Sequence, residues 1–445
     1  MPLIIDSETK KDLQIDDFEN SESVFSRLNF TQTIGGRKYL RQIFSSPSNN
    51  ADTIWSAQAK ISSIRQVVDQ WPKYIGNGTM LVMEKFCTEP YSGYSPGDGL
   101  VTRMIFALLN ADSYYILKFS VKVFSDFLRG LDELSGAFNG KNPESSCLIF
   151  KEKIDDLLNE KPLREFASLG KNHKFTSKDN FYFGYHIRVV YKKQIVELID
   201  LYCQMEAWYS LAVSMNKYQL VFPEFVTGSG PEFESKGLYH LMVKDAKGYD
   251  ISLSDQQSLV FLTGSNMAGK STLIKTIGLS LFLAHIGLGV PASSLKLSLF
   301  DGLSTNINVE DDLTQGQSYF FNEVKRINQT VNKVSDGSRW MILIDEIFKG
   351  TNIVDSMKCS IDVIDGFSRV KSSLFVISSH LYEIANEFKY PEDISCKYLE
   401  TILEGDEFHF TYQLKNGVSS ERIGHTLMRR EGVVQKLLQL QMNTV

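Results

Sequence analysis

Apolar and polar residues follow a helical spacing over the first half of the chain. From about residue 17 to residue 225, apolar positions recur every three or four residues, as in residues 54–71 and 194–217. This spacing places apolar side chains on one face of a helix. The pattern predicts an all-α region over residues 1–225.

The sequence changes after the stretch VTGSGPEFESKG, which is punctuated by Gly228, Gly230, Pro231 and Gly237. Such punctuation is typical of a linker or a change of domain. Beyond it, short apolar runs alternate with helical patterns, and three runs are predicted to be buried strands of a mainly parallel sheet, at residues 258–263, 340–345 and 373–378. Residues 226–445 are therefore predicted to form an α/β domain.

Two further elements are predicted near the end of the chain. Residues 397–404 and 407–414 alternate around Gly405-Asp406, which favours a β-hairpin. A last amphipathic helix is expected at residues 426–442, suited to subunit contacts or to packing on the sheet.

Composition and charge narrow the class of protein. The chain has 445 residues, a hydrophobic fraction of 43% and a formal charge of -6, so it lacks the basic excess of many nucleic-acid-binding proteins. Its five scattered cysteines have no metal-ligand spacing, and its first residues show no secretory signal. The most apolar segment, residues 273–290, contains Lys275, His285 and several glycines, which favours a helix buried in protein over a membrane span. We expect a cytoplasmic protein without a membrane partner.

The clearest chemical signal is a phosphate-binding loop. Residues 264–271 read GSNMAGKS, a complete match to GxxxxGK[ST], between a predicted strand and a predicted helix. The backbone amides and the helix N-terminus would bind phosphate oxygens, Lys270 would contact the β- and γ-phosphates, and Ser271 would ligate Mg²⁺. The predicted ATP-contacting residues are Gly264, Ser265, Asn266, Met267, Ala268, Gly269, Lys270, Ser271 and Thr272.

Two later strands end in candidate catalytic side chains. The strand at residues 340–345 ends in Asp345 and Glu346. Asp345 would hold the Mg²⁺ shell with Ser271, and Glu346 would polarise the attacking water. His380 follows the strand at residues 373–378 and is a candidate γ-phosphate sensor, although an isolated histidine in this place is as often structural.

These segments resemble the ATPase of the MutS DNA mismatch-repair family. SNMAGKST at residues 265–272 resembles the GPNMGGKST loop, and its Asn-Met pair is rarer than the general motif. DEIFKGTN at residues 345–352 resembles DEIGRGTS, with Phe348 and Asn352 departing from it. DDLTQGQSYF at residues 311–320 resembles DDLASGRSTF, with Glu323 on that segment's glutamate, and ISSH at residues 377–380 resembles ATH.

The resemblance implies roles that the residues alone do not. It implies a homodimeric ATPase in which Ser318 reaches the partner's γ-phosphate and His380 is a switch residue, and it implies repair-pathway protein partners that the sequence does not identify. Small residues of the C-terminal region that packs the dimer are matched by Gly417, Ser419 and Gly424. The helical half resembles the family's core and lever region through Thr31, Thr33, Gly36, Arg37 and Leu40. We expect the mismatch-reading and connector domains of full-length members to be missing, because only about 20 residues precede this core.

The resemblance implies DNA as a partner. We expect branched or mismatched duplex to be bound, without direct reading of the mismatch. Local support lies in residues 161–193, where only Glu165 and Asp179 offset eight basic residues: Lys161, Arg164, Lys171, Lys174, Lys178, Arg188, Lys192 and Lys193. Aromatic residues are interleaved with them: Phe166, Phe175, Phe181, Tyr182, Phe183, Tyr185 and Tyr191. These rings suit base stacking, and they equally suit the packing of helices beneath a solvated basic surface.

The prediction is thus an α/β P-loop ATPase of the ABC/MutS type preceded by an all-α core and lever domain. It would bind and hydrolyse ATP with Mg²⁺ at composite dimer sites. Two alternatives stay open: an ATP-binding dimeric scaffold that hydrolyses little, and another ABC-superfamily ATPase that does not act on DNA, since residues 313–318 faintly match an LSGGQ signature.

Overall fold

The computed structural model describes residues 2–15, 22–88, 99–169, 173–228, 230–307, 319–404 and 407–419, with residues 428, 432, 433, 435 and 436. The chain divides into two compact units. The helical unit comprises Leu28–Ser45 and Trp55–Lys217, and the sheet unit comprises Met1–Arg27, Ser46–Ile54 and Tyr218–Val445.

This division differs from the predicted boundary at residue 225, because the beginning of the chain lies in the sheet unit. Ile4 and Ile5 form a short strand that pairs in parallel with Gly302 and Leu303. Asp12 is buried and accepts hydrogen bonds from the Thr305 hydroxyl at 2.7 Å and the Ile307 amide at 3.1 Å. A two-residue strand is too short for a periodic signal, so only its pairing reveals it.

The described residues form helices and strands with the following bounds. The α-helices are α1 (Ser7–Asp12), α2 (Val24–Leu28), α3 (Ile34–Ser45), α4 (Ala51–Arg65), α5 (Asn77–Thr88), α6 (Leu100–Leu109), α7 (Ala111–Ala137), α8 (Ser145–Asn159), α9 (Lys161–Ser168), α10 (Ser177–Tyr185), α11 (Lys192–Lys217), α12 (Lys270–His285), α13 (Tyr319–Val334) and α14 (Ile353–Ser368). The strands are β1 (Ile4–Ile5), β2 (Glu224–Val226), β3 (Glu232–Leu238), β4 (Tyr249–Ser254), β5 (Leu259–Thr263), β6 (Ser294–Ser298), β7 (Gly302–Asn306), β8 (Trp340–Ile344), β9 (Leu374–Ser378), β10 (Ile394–Glu404) and β11 (Glu407–Asn416). A π-helical turn, His186–Val190, joins α10 to α11, and short 3₁₀ helices occur at Val68–Gln70, Tyr382–Glu387 and Pro391–Asp393.

A seven-stranded sheet organises the sheet unit, in the order β1-β7-β8-β9-β5-β10-β11. All neighbours are parallel except β10 and β11, which pair antiparallel. Every residue of β5, β8 and β9 is buried, which explains why these strands appear in the sequence as continuous apolar runs. The three predicted central strands and the predicted hairpin are confirmed, with small differences at their ends.

A second sheet of four strands, in the order β2-β6-β3-β4, lies in the same unit. It includes β3, which begins at Glu232 inside the segment predicted to be a linker. Phe233, Ser235 and Leu238 are buried along β3, so tertiary packing overrides the local turn signal of the neighbouring glycines.

The apolar segment predicted as a buried helix is α12. Its residues are almost all buried, and it ends at His285, two residues before Gly287 at φ 78°. Among the described residues, no helix is both long enough and apolar enough to cross a membrane. Most of the amphipathic helix predicted at residues 426–442 lies outside the described residues.

The helical unit is built around the long helices α7 and α11, and its core is rich in aromatic rings. Trp71 stacks on Tyr209 with ring centroids 4.5 Å apart, and Phe166 stacks on Phe183 at 4.2 Å. Periodic apolar positions of the sequence therefore face this core, as expected for an all-α unit.

Candidate nucleotide-binding site

The predicted phosphate-binding loop joins β5 to α12 in the described structure. Gly264 and Gly269 have φ angles of 137° and 103°, values that favour glycine. A Cβ on Gly264 would lie 3.1 Å from the Leu399 carbonyl oxygen, so a side chain there would also crowd β10. Met267 is left-handed as well, at φ 75°, and is 75% exposed. The glycines of the motif are thus required by backbone geometry, whatever the loop binds.

Lys270 is buried and bonded to its own loop. Its Nζ donates to the carbonyl oxygens of Gly264 at 2.8 Å and Ser265 at 3.2 Å. Burial lowers the pKa of the Lys270 ammonium, and the nearby carboxylates of Glu346 and Asp345 oppose this shift. The ammonium is therefore held within the loop, where a phosphate could replace carbonyl oxygens as its partner.

Ser271 and Asp345, the two predicted metal ligands, are in contact. The Ser271 hydroxyl donates to Asp345 Oδ2. The loop reaches Asp345 because parallel β5 and β8 both end at the same edge of the sheet. A hydroxyl and a carboxylate oxygen brought together are ligands of the kind that Mg²⁺ prefers, so these residues fit that ion.

Glu346 lies in a tightly held turn. It has a left-handed φ of 55°, as does Phe348 at 51°. Its carboxylate is 3.5 Å from the Lys349 ammonium. A small cleft is lined by Asp345, Glu346, Glu323 and Arg326, among others. Asp345 and Glu346 therefore border one opening at the end of β8.

Glu323, on α13, closes the far end of this turn. Its carboxylate accepts the amides of Lys349 at 3.2 Å and Gly350 at 3.1 Å. The side chain is 6% exposed, and burial raises the pKa of the Glu323 carboxyl, although these amides and the Lys349 charge oppose the shift.

The remaining predicted site residues differ in how they are placed. His380 is exposed and follows β9, at the same sheet edge. Asn266 is exposed in the loop, and Thr272 is half-buried in the first turn of α12. Ser318 and Gly424, which the resemblance assigned to the dimer, lie outside the described residues.

Several residues at the site belong to no sequence motif, and the sequence did not predict them. The Ser265 hydroxyl lies 2.7 Å from the Thr401 hydroxyl of β10, and both are buried. Two rings lie against Gly269, because a Cβ there would be 3.4 Å from Tyr412 Cδ1 and 3.5 Å from the Tyr249 hydroxyl. Tyr412 is left-handed at φ 54° and 40% exposed. An exposed ring at the edge of such a loop is suited to stack on a nucleotide base. Only the predicted hairpin could have directed attention to it.

The basic stretch of the helical unit, residues 161–193, combines buried aromatic rings with exposed lysines. Phe166, Phe181 and Phe183 are buried, and the Arg188 guanidinium lies 4.6 Å from the Phe86 ring centroid. These rings pack helices, which favours the simpler interpretation of the aromatic residues. Exposed lysines remain along the stretch, namely Lys161, Lys174, Lys178, Lys192 and Lys193, whereas Lys171 lies outside the described residues.

Comparison with known proteins finds similarity over the part of the chain that contains the loop. Residues 260–444 match the family model of MutS domain V. The chain is 28% identical over 246 residues to a DNA mismatch repair protein MutS of Petrotoga mobilis, covering 54% of this chain and 30% of that protein. It is 27% identical over 255 residues to the protein of the same name from Lactococcus lactis subsp. cremoris, and 28% over 259 residues to that of Fusobacterium nucleatum, covering 56% and 57% of this chain. These matches span about 30% and 28% of the two relatives.

Proposed function

We propose that this chain, whose residues 260–444 match the family model of MutS domain V, binds ATP with Mg²⁺ and hydrolyses it. The observation that carries this proposal is the hydrogen bond between Ser271 and Asp345, which joins the phosphate-binding loop to the carboxylate turn after β8. A chance match to the loop motif would not bring a second oxygen ligand against its serine.

The surroundings of each side chain indicate its role in the reaction. The loop amides and the N-terminus of α12 bind the phosphates, and Lys270 exchanges its carbonyl partners for phosphate oxygens. Mg²⁺ held by Ser271 and Asp345 would offset the negative charge that the phosphates develop. Glu346 orients the attacking water and accepts its proton, and Tyr412 offers a ring to the base.

We further propose that turnover depends on a second copy and is coupled to DNA. The relatives are named for DNA mismatch repair, and the exposed lysines of the helical unit offer phosphate contacts. Ser318 would complete the partner's site, and His380 would report the γ-phosphate. Branched or mismatched duplexes are the substrates that we would compare.

The test is steady-state ATP turnover by the full chain, alone and with homoduplex, mismatched and branched DNA. Glu346→Gln keeps the shape of the side chain and removes its basicity, so turnover is expected to fall about 100-fold or more while ATP binding persists. Glu387→Gln makes the same change at an exposed position of the same unit and should leave turnover unchanged.

Different outcomes separate the parts of the proposal. Equal turnover in Glu346→Gln and the wild type would overturn the role of Glu346. Turnover that ignores every DNA would remove the DNA coupling and leave the ATPase. Tight ATP binding without wild-type turnover would favour a nucleotide-binding scaffold.

A further inference from the structure

One buried hydroxyl, that of Ser378, holds both candidate catalytic carboxylate residues. Ser378 is the last residue of β9 and is fully buried. Its Oγ donates to Asp345 Oδ1 at 2.5 Å and accepts the Glu346 amide at 2.8 Å. Its carbonyl oxygen accepts the amide of Ile347 at 3.2 Å. Three successive residues of the turn after β8 are therefore bonded to one residue of β9.

The directions of these bonds follow from the groups involved. A hydroxyl has one hydrogen and two lone pairs. The Glu346 amide can only donate, so the hydroxyl must accept from it, and its single hydrogen is left for the Asp345 carboxylate. The hydrogen and one lone pair of this buried oxygen are used on residues of the proposed reaction, so the hydroxyl links Asp345 to Glu346.

Ser378 is also the partner that Asp345 would keep with nucleotide and Mg²⁺ bound. In the described structure, Asp345 accepts one hydroxyl on each oxygen, from Ser271 and from Ser378. Ser271 is itself a proposed metal ligand, so its hydroxyl would turn towards the ion. The bond from Ser378 would then orient the carboxylate.

The bond to the Glu346 amide has a second consequence. Glu346 has a left-handed backbone, which a residue with a side chain adopts only when its surroundings impose it. By accepting this amide, Ser378 helps to hold the peptide whose side chain would orient the water. The ATH motif that ISSH resembles has alanine at this position.

We propose that Ser378 is a positioning residue for ATP hydrolysis, acting through Asp345 on the affinity for Mg²⁺ and through the Glu346 backbone on the rate. The proposal rests on the proposed function, because it concerns the same site.

The chain provides a matched control at the other end of β9. Ser373 immediately precedes this strand and is also fully buried. Its hydroxyl accepts the Trp340 amide at 3.1 Å and donates to the Ser338 carbonyl at 3.0 Å. Ser373→Ala and Ser378→Ala thus remove the same group from the same burial, but only Ser378 contacts the carboxylate turn.

The experiment measures kcat, the KM for ATP and the Mg²⁺ concentration giving half-maximal rate in both variants. A second readout, independent of turnover, is the Mg²⁺ concentration needed for ADP to raise the thermal unfolding midpoint. For Ser378→Ala we expect kcat to fall about tenfold and both Mg²⁺ midpoints to rise several-fold, with the KM for ATP little changed. Ser373→Ala should match the wild type in all of these, even where its stability falls.

Ser378→Thr keeps the hydroxyl and is expected to restore the Mg²⁺ midpoints, which separates loss of the hydroxyl from loss of packing. The inference is overturned if Ser378→Ala and Ser373→Ala have the same Mg²⁺ midpoints. If the wild type binds nucleotide without hydrolysing it, the proposed hydrolysis fails, and the Mg²⁺-dependent stabilisation by ADP still decides the role of Ser378.

Discussion

Both units bury a glutamate that binds backbone amides, yet the two residues serve different ends. Glu206 in the helical unit accepts the Gln32 amide at 2.7 Å and the Thr33 hydroxyl, just before α3. Glu323 in the sheet unit accepts two amides of the turn that follows Glu346. Burial raises the pKa of both carboxyl groups. Burial and a shifted pKa therefore do not distinguish a structural glutamate from a functional one. The distinction lies in which segment of the chain the glutamate binds.

The largest effect is expected from Glu206→Ala. Glu206 is fully buried, and its removal leaves an amide and a hydroxyl without their acceptor, at a cost of about 4 kcal/mol in the free energy of unfolding of the helical unit. Hydrogen exchange read by mass spectrometry would show this as lost protection in α3 and α11. Protection that is unchanged in both helices would mean that Glu206 does not anchor α3.

Acidic pH provides a second contrast, because a buried histidine in the sheet unit responds oppositely to Glu206. His285 Nδ1 donates to the Ser48 carbonyl at 2.7 Å, and burial lowers the pKa of His285 to about 4. Between the usual histidine pKa of 6.5 and about 4, the unfolded chain binds the proton and the folded unit does not. The sheet unit should therefore lose about 3 kcal/mol as the pH falls through this range.

For Glu206, the change in stability with pH has the opposite sign. Above its usual pKa of 4.5 and up to its raised value, the folded helical unit holds the proton more tightly than the unfolded chain. Its contribution to stability thus falls as the pH rises through this range. Hydrogen exchange measured from pH 7 to pH 4 would monitor the unfolding of each unit and test both signs of the pH dependence. His285→Gln should reduce the acid response of the sheet unit and leave the part due to His240, because burial lowers the pKa of His240 to about 4 as well. The exposed His173→Gln should leave the response unchanged. An equal acid response in wild type and His285→Gln would rule out this histidine as its source.

The same comparison explains what the sequence could and could not predict. The loop around Lys270, the strand ending at Asp345 and the buried helix α12 depend on local patterns, and the sequence predicts all three. The hydrogen bonds of Ser378 and Glu323 join residues more than 25 positions apart, and no local pattern specifies their partners. The pairing of Ile4 with Gly302 spans most of the chain, which is why the first residues were predicted to belong to the helical region.

The smallest effect, and the one that tests the comparison most directly, is expected from exchanging each glutamate for glutamine. In Glu323→Gln an amino group replaces one of two oxygens that both accept an amide, so a donor faces a donor and the turn after Glu346 must shift. We expect kcat for ATP to fall about tenfold with the KM for ATP unchanged, a change of about 1.4 kcal/mol in transition-state stabilisation. Glu206→Gln makes the same substitution in the helical unit and should leave kcat unchanged. If both variants slow turnover equally, the effect comes from a general loss of stability, and Glu323 does not specifically position the catalytic turn.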